Sequence, residues 1–292
     1  MNHDSNSSES RAALRGHGCI HLTSRRRAEE ANRQTRTVRI NARAMTSISY
    51  QLYSSRNGKP AEQTLVMLAD AGYQDVEGYA PYFVDPRSTC DMLRNAGLEM
   101  TSGHFSLEEI EADPARVIST AGTLGIRKIY APWLAVDERP TDLDGWMRFA
   151  DRLLAAGKPL RDAGLIFGWH NHEFELIDLG GGITPADIIA QASPDIALEL
   201  DLGWVHFAGL DPIAWIERFG SQITTIHIKD RACEGRNLDQ DGWATIGTGV
   251  LDWRGILTAA KAAGIHHWVV ENDLPTDDED FARSSFDYLT GL

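Results

Sequence analysis

Cysteine is scarce in this chain: three in 292 residues, Cys19, Cys90 and Cys233, with no CxxC pair among them. That excludes a disulfide framework, gives no partner pattern for a thiol nucleophile, and fits a reducing, cytoplasmic setting. Long apolar runs are missing too. Apolar stretches such as 268–270 fall far short of the roughly 20 residues of a membrane span, so a soluble protein with no membrane partner is expected. Positive charge is also in deficit, with a formal net charge of −14. Phosphate neutralisation needs a basic surface, so the charge argues against a general affinity for nucleic acid, while a small anion held by a local Lys or Arg is not excluded. No GxGxxG follows the first expected strand, which argues against a dinucleotide site.

What is present divides unevenly. Residues 1–44 hold nine arginines against four acids, about +5, with abundant Ser and Asn and little apolar periodicity. This reads as a disordered basic extension, so about −19 falls on the remainder. No apolar stretch in the extension suits a secretory signal. An Arg-rich, acid-poor start also suits an organellar transit peptide, but the first strand begins immediately after Met45. The reading adopted is that Met45 is the natural start and 1–44 an upstream extension of the reading frame.

From 45 to 292 short β-rich runs alternate with helical patterns, the order that gives a parallel sheet. Strands are expected at 46–53, 74–79, 98–104, 127–132, 165–171, 196–202, 223–229 and 267–272. Helices are expected at 61–71, 86–96, 114–124, 142–163, 185–191, 212–219, 253–263 and 278–289. Gly72, Gly97, Gly125, Gly164 and Gly264 stand where a left-handed helix cap is required, and Pro86, Pro114, Pro185 and Pro212 near helix starts. Eight such units close most naturally as a single-domain (β/α)8 TIM barrel. An open doubly wound sheet is the alternative.

Active sites of these barrels lie at the C-terminal ends of the strands. The ends here are polar: Gln51, Glu77, His104, the stretch GWHNHEFEL at 168–176, Glu199 with Asp201, His227 with Lys229 and Asp230, and Glu271 with Asp273. Side chains alternate along a strand, so Asp201, His227 and Glu271 can face inward from three successive strands. Neighbouring carboxylates repel unless protonated or neutralised, and one divalent metal ion (Mn²⁺, Co²⁺, Zn²⁺ or Mg²⁺) suits such a mixed oxygen and imidazole set.

Taken together, YQLYSSR, DVEGY, SGHF, AGLIFGWHNHEFEL, LELDLGWVHFAG, IHIKD, IGTGVLDW and VVEND, in this order from about Ser47 to Leu289, resemble the sugar phosphate isomerase/epimerase family. These are xylose isomerase-like TIM barrels, whose relatives include ketose 3-epimerases, inosose dehydratases and endonuclease IV. The resemblance implies a metal held by Glu175, Asp201, His227 and Glu271. In the HNHxxE form found here, His170 or His172 is the alternative to Glu175. It further implies that Glu175 and Glu271 move protons through a metal-stabilised enediolate of a small carbohydrate. His170, Asn171 and His172 would bond sugar hydroxyls or orient the ligand, and Glu77, His104, Trp133, Trp204 and His206 would line the mouth. Lys229 would hold a substrate oxygen or phosphate, the substrate being a sugar or a sugar phosphate, with Asp230 orienting Lys229, and 243–249 would form a lid. Elimination from the same intermediate, a dehydratase or 3-keto-glycoside lyase, is the alternative; a multi-zinc endonuclease and a metal-free sugar-binding module are weaker ones. By the habit of such families a homo-oligomer is implied.

Blander roles are expected elsewhere. Glu199 reads as structural, Glu173 as facing away by strand parity, His266 and His267 as structural, and the acids 277–280 as a dipole-favoured helix start.

Overall fold

The chain is described over residues 46–292 by a computed structural model. The disordered extension expected at 1–44 lies outside the described residues. Among them are the strands β1 (Ser47–Gln51), β2 (Asp75–Gly78), β3 (Glu99–His104), β4 (Lys128–Ala131), β5 (Ile166–His170), β6 (Ala197–Asp201), β7 (Ile223–Ile228), β8 (Asp230–Arg231), β9 (Trp243–Ala244) and β10 (His267–Val270). All but β8 and β9 join one closed parallel barrel in the order β1-β10-β7-β6-β5-β4-β3-β2. The (β/α)8 architecture is therefore the one the alternation of elements implies, and the open sheet is excluded.

Each expected helix forms: α1 (Ala61–Ala71), α2 (Pro86–Ala96), then the short α3 (Leu107–Ala112), α4 (Pro114–Leu124), α5 (Leu143–Asp162), α6 (Pro185–Ala192), the short α7 (Leu202–Phe207), α8 (Pro212–Phe219), α9 (Trp253–Ala262) and α10 (Asp278–Thr290). The two short ones were not evident in the periodicity, because one or two turns carry too little of it. Their signal is in the caps. Ser106 and Glu109 make a reciprocal capping box for α3, and the Asp201 side chain accepts the Trp204 N–H at the start of α7. The five cap glycines all have positive φ. Asp277 caps α10 by accepting from Glu279 and Asp280, so the acidic run is a helix start.

The apolar core lies between the barrel and its helices, where Phe149, Leu153, Leu160, Phe167 and Trp169 pack. Burial of each large side chain there stabilises by about 1.5–3 kcal/mol. Inward strand positions are polar instead. Gly168 shows why this matters for position: a Cβ there would overlap the Ala197 carbonyl, so its absence lets β5 lie close against β6. In that register His170 pairs with Glu199, and across the next ladder Asp201 pairs with His227. No helix among the described residues is long and apolar enough to cross a membrane.

Candidate metal centre and active site

Strand parity sends His170, Glu199, Asp201 and His227 to the barrel axis, and each is fully buried or nearly so. Glu271 follows β10 directly and is fixed by its backbone N–H, which donates to the Ile228 carbonyl at 3.1 Å. One donor atom from each of His170, Asp201, His227 and Glu271 lies within 4.8 Å of the others. A second set, His104, His170, Glu199 and His227, is equally close and shares two imidazoles with the first.

Asp201 is held by its helix. One carboxylate oxygen accepts the Trp204 N–H at 2.8 Å, and the Asn171 side-chain carbonyl accepts the Asp201 N–H at 2.9 Å. The other oxygen, Oδ2, is buried without a hydrogen-bond partner. Such an orphan costs about 1–3 kcal/mol, and its position among two imidazoles and a carboxylate is what a divalent cation satisfies. Two nitrogens and two oxygens suit Mn²⁺, Co²⁺ or Zn²⁺ well. The residues present therefore fit an ion.

The imidazoles are oriented from behind. His227 Nδ1 lies 2.9 Å from Glu271, and its Nε2 lies 2.7 Å from Glu77 and 3.2 Å from Glu199. Glu199 also meets His104 Nε2 at 2.5 Å and His170 Nδ1 at 3.1 Å. Glu199, expected to be structural, thus sits among three imidazoles; its signal was there in its parity with Asp201. Glu77, expected at the mouth, is fully buried beneath the cluster, where Gln51 donates to it at 2.8 Å.

Burial disfavours charge throughout, and the neighbours decide the outcome. Burial lifts Asp201 to about 7, moderated by Lys229 and His227. For Glu271 the same burial is outweighed by Lys229 and His227, which hold it well below the usual carboxylate range. His104 is pulled down by burial but held up at about 10 by Glu77 and Glu199. Burial lowers His170 strongly, aided by His227, and takes His172 down to about 3, aided by Lys229.

Glu175, expected as ligand and catalytic group, is not brought into this set. Its carboxylate accepts the Trp169 indole N–H at 2.7 Å and the His172 backbone N–H at 2.9 Å. Trp169 alternates with His170 and points to the helix layer, packing on Phe149, so Glu175 lies behind the strand. Burial raises it to about 8. The group that takes the corresponding position at the axis is His170. Asn171 ties β5 to β6 through its bond to Asp201 and is buried, so it is placed to hold the backbone rather than to meet a sugar hydroxyl.

Above the cluster opens a cavity of about 630 Å³, walled by Tyr53, Tyr79, Trp133 and Trp204 and reached by His104, His170, His172, Glu173, Glu271 and Asp273. Glu173 therefore faces the cavity, because the chain leaves strand geometry after His170 and alternation no longer applies. His206 lies apart, in a separate depression with Phe207 and Arg231. Lys229 is fully buried, 2.5 Å from Asp273 and 3.4 Å from Glu271, with its ammonium 5.0 Å from the Trp204 ring and 4.6 Å from that of Trp243. Asp230 does not orient it. Asp230 accepts instead from the 247–251 loop, and Trp243 is buried in the β8–β9 ladder, so the stretch expected to be a lid is fastened down.

The carboxylates and imidazoles gather at the C-terminal ends of the barrel strands, where this fold places its active sites in the enzymes built on it. The sequence pattern of the xylose isomerase-like TIM barrel family matches residues 65–291, and the chain belongs to that family. Its structure is similar to that of a sugar phosphate isomerase/epimerase from Parabacteroides distasonis, at 21% identity and a TM-score of 0.73 over 85% of this chain and 95% of that one. It is similar also to a probable 3-DHS dehydratase, AsbF, from Bacillus anthracis, at 13% identity and a TM-score of 0.67 over 84% and 98%. A third similar structure, the IOLI protein with a bound zinc atom, shares 15% identity with a TM-score of 0.68 over 84% and 97%. No curated protein matches the chain by sequence.

Proposed function

We propose that the chain is a divalent-metal-dependent isomerase or epimerase of a sugar, working by proton transfer beside a carbonyl. The observation that carries this reading is Asp201 Oδ2, buried without a hydrogen bond among His170, His227 and Glu271 at the floor of an aromatic-walled cavity, with Lys229 no nearer than 3.9 Å. Those four residues would hold the ion, with His170 taking the place first given to Glu175. An ion there supplies Lewis-acid polarisation of a carbonyl and its neighbouring hydroxyl, the chemistry that an enediolate requires.

The chain's own groups do the rest. Trp133 and Trp204 stack on the C–H faces of a ring and exclude water. His172, kept neutral by burial, offers a hydrogen bond to a hydroxyl. Glu271 enters from the β10 side and Glu173 from the β5 side. These two replace the pair Glu175 and Glu271 as the groups that take a proton from one face of a carbon and return one to the other. Glu173 is chosen because it is the glutamate of 170–175 that reaches the cavity.

A dehydratase of the same fold gives the second reading, in which the same intermediate expels a leaving group. Proton NMR of Mn²⁺-loaded protein with keto sugars in D₂O separates the two. Isomerisation or epimerisation exchanges one carbon-bound hydrogen, and elimination gives an unsaturated product. Glu173→Gln and Glu271→Gln should each slow the exchange by about 10²–10⁴-fold; exchange at the wild-type rate in both variants removes the two-glutamate scheme.

A further inference from the structure

Barrels of this fold that bind phosphate commonly do so on the loops after the seventh and eighth barrel strands. The cradle consists of converging backbone N–H groups left without acceptors of their own. This chain builds such a cradle after β7 and fills it from within. The buried Asp230 carboxylate accepts the N–H of Gly247 at 2.8 Å and of Gly249 at 3.1 Å on one oxygen, and of Arg231 at 2.8 Å and Leu251 at 3.3 Å on the other. The loop is shaped around that carboxylate: a Cβ on Gly249 would overlap it and the Arg231 carbonyl.

Of the cations near the cavity, Lys229 is tied to carboxylates and Arg56 to backbone carbonyls. Lys229 is enclosed by Asp273, Glu271 and Asp201. Arg56 lies over the Tyr53 ring at 3.9 Å and donates through Nη1 to the carbonyls of Tyr53 and Asp273. Glu173, Asp241, Glu271 and Asp273 stand along the same walls. A dianion entering there would meet more carboxylates than cations, whereas the aromatic walls suit the C–H faces of a neutral ring.

We infer that the cavity accepts an uncharged polyhydroxy ring compound and rejects its phosphate ester, because carboxylates stand along its walls and the N–H cradle after the seventh barrel strand is already filled by Asp230. The inference rests on the reading of the cavity as a sugar isomerase or epimerase site.

Two measurements on the full chain test it. In the first, Mn²⁺-loaded protein is given matched pairs of free and phosphorylated keto sugars. The free sugar should win by at least about tenfold in kcat/KM, as expected for like charges brought together; parity or a preference for the ester overturns the inference. The second needs neither metal nor turnover. Inorganic phosphate is titrated into wild type and Asp230→Ser while the melting temperature is followed. Wild type should not respond, and the variant, its cradle opened, should be stabilised in a saturable way. Saturable stabilisation of wild type overturns the inference even where the variant fails to fold. If no sugar of either kind is turned over, the isomerase reading falls, while the phosphate titration still decides whether the cradle is closed.

Discussion

At the N-terminal end of the barrel interior, Asp75 accepts from the backbone N–H and hydroxyl of Thr101 and meets His267 Nε2 at 3.0 Å, and His267 Nδ1 meets Thr225 at 2.9 Å. Tyr130 and Lys128 close the same network on Thr224 and Thr225. At the C-terminal end, Glu77, Glu199 and Asp201 each keep one buried oxygen without a partner. Both ends hide charge inside one barrel. The first satisfies each of its charged groups and so has a structural explanation that is complete. The second does not, and a group that remains unanswered at such cost points to a ligand.

The strongest way to break this comparison is to remove a group from the unsatisfied end. Asp201→Asn should lower kcat/KM by about 10³-fold or more, since the loss of an ion's charge stabilisation is worth several kcal/mol; steady-state kinetics on the sugar identified by NMR reads it. Next, Glu77→Gln, which touches His227 from behind, should weaken Mn²⁺ binding by about 10–100-fold, as is usual for a carboxylate that orients a ligating imidazole. Dialysis against graded Mn²⁺ measures that. At the satisfied end, His267→Ala should leave Mn²⁺ affinity unchanged and cost about 1–3 kcal/mol of stability by removing the imidazole that bridges Asp75 and Thr225, read by urea unfolding.

The smallest effect concerns pH. Burial raises Glu175 from 4.5 to about 8, so the folded chain holds its proton more tightly than the unfolded chain does. The resulting stability is full below about 4.5 and is lost as pH rises through about 8. Unfolding free energies measured across that window should fall less steeply in Glu175→Gln than in wild type.

The barrel was legible because alternation of elements, proline at helix starts and glycine at helix ends all carry local signals that agree. The inward placing of Asp201 and His227 was legible because parity along a regular strand is a strict rule, and Glu271, one residue past β10, keeps it through its bond to the Ile228 carbonyl. Where the backbone leaves the strand the rule lapses, and that is where the reading needed revision: Glu173 and Glu175 exchange the places expected of them, one facing the cavity and the other bonded to Trp169. Only the closed barrel reveals that Glu77 stands beneath His104 and His227 rather than at the mouth, and that Glu199, expected to be structural, meets the same imidazoles. The role of Asp230 depends on a loop that returns to it from 17 to 21 residues away, a closure that no local pattern encodes.

Equilibrium dialysis of the full chain with Mn²⁺ tests the central claim most directly. The account predicts one ion per chain, lost in Asp201→Asn and in His170→Ala and retained in Glu175→Ala. Binding that survives in the Asp201 variant, or that disappears only with Glu175, would contradict it.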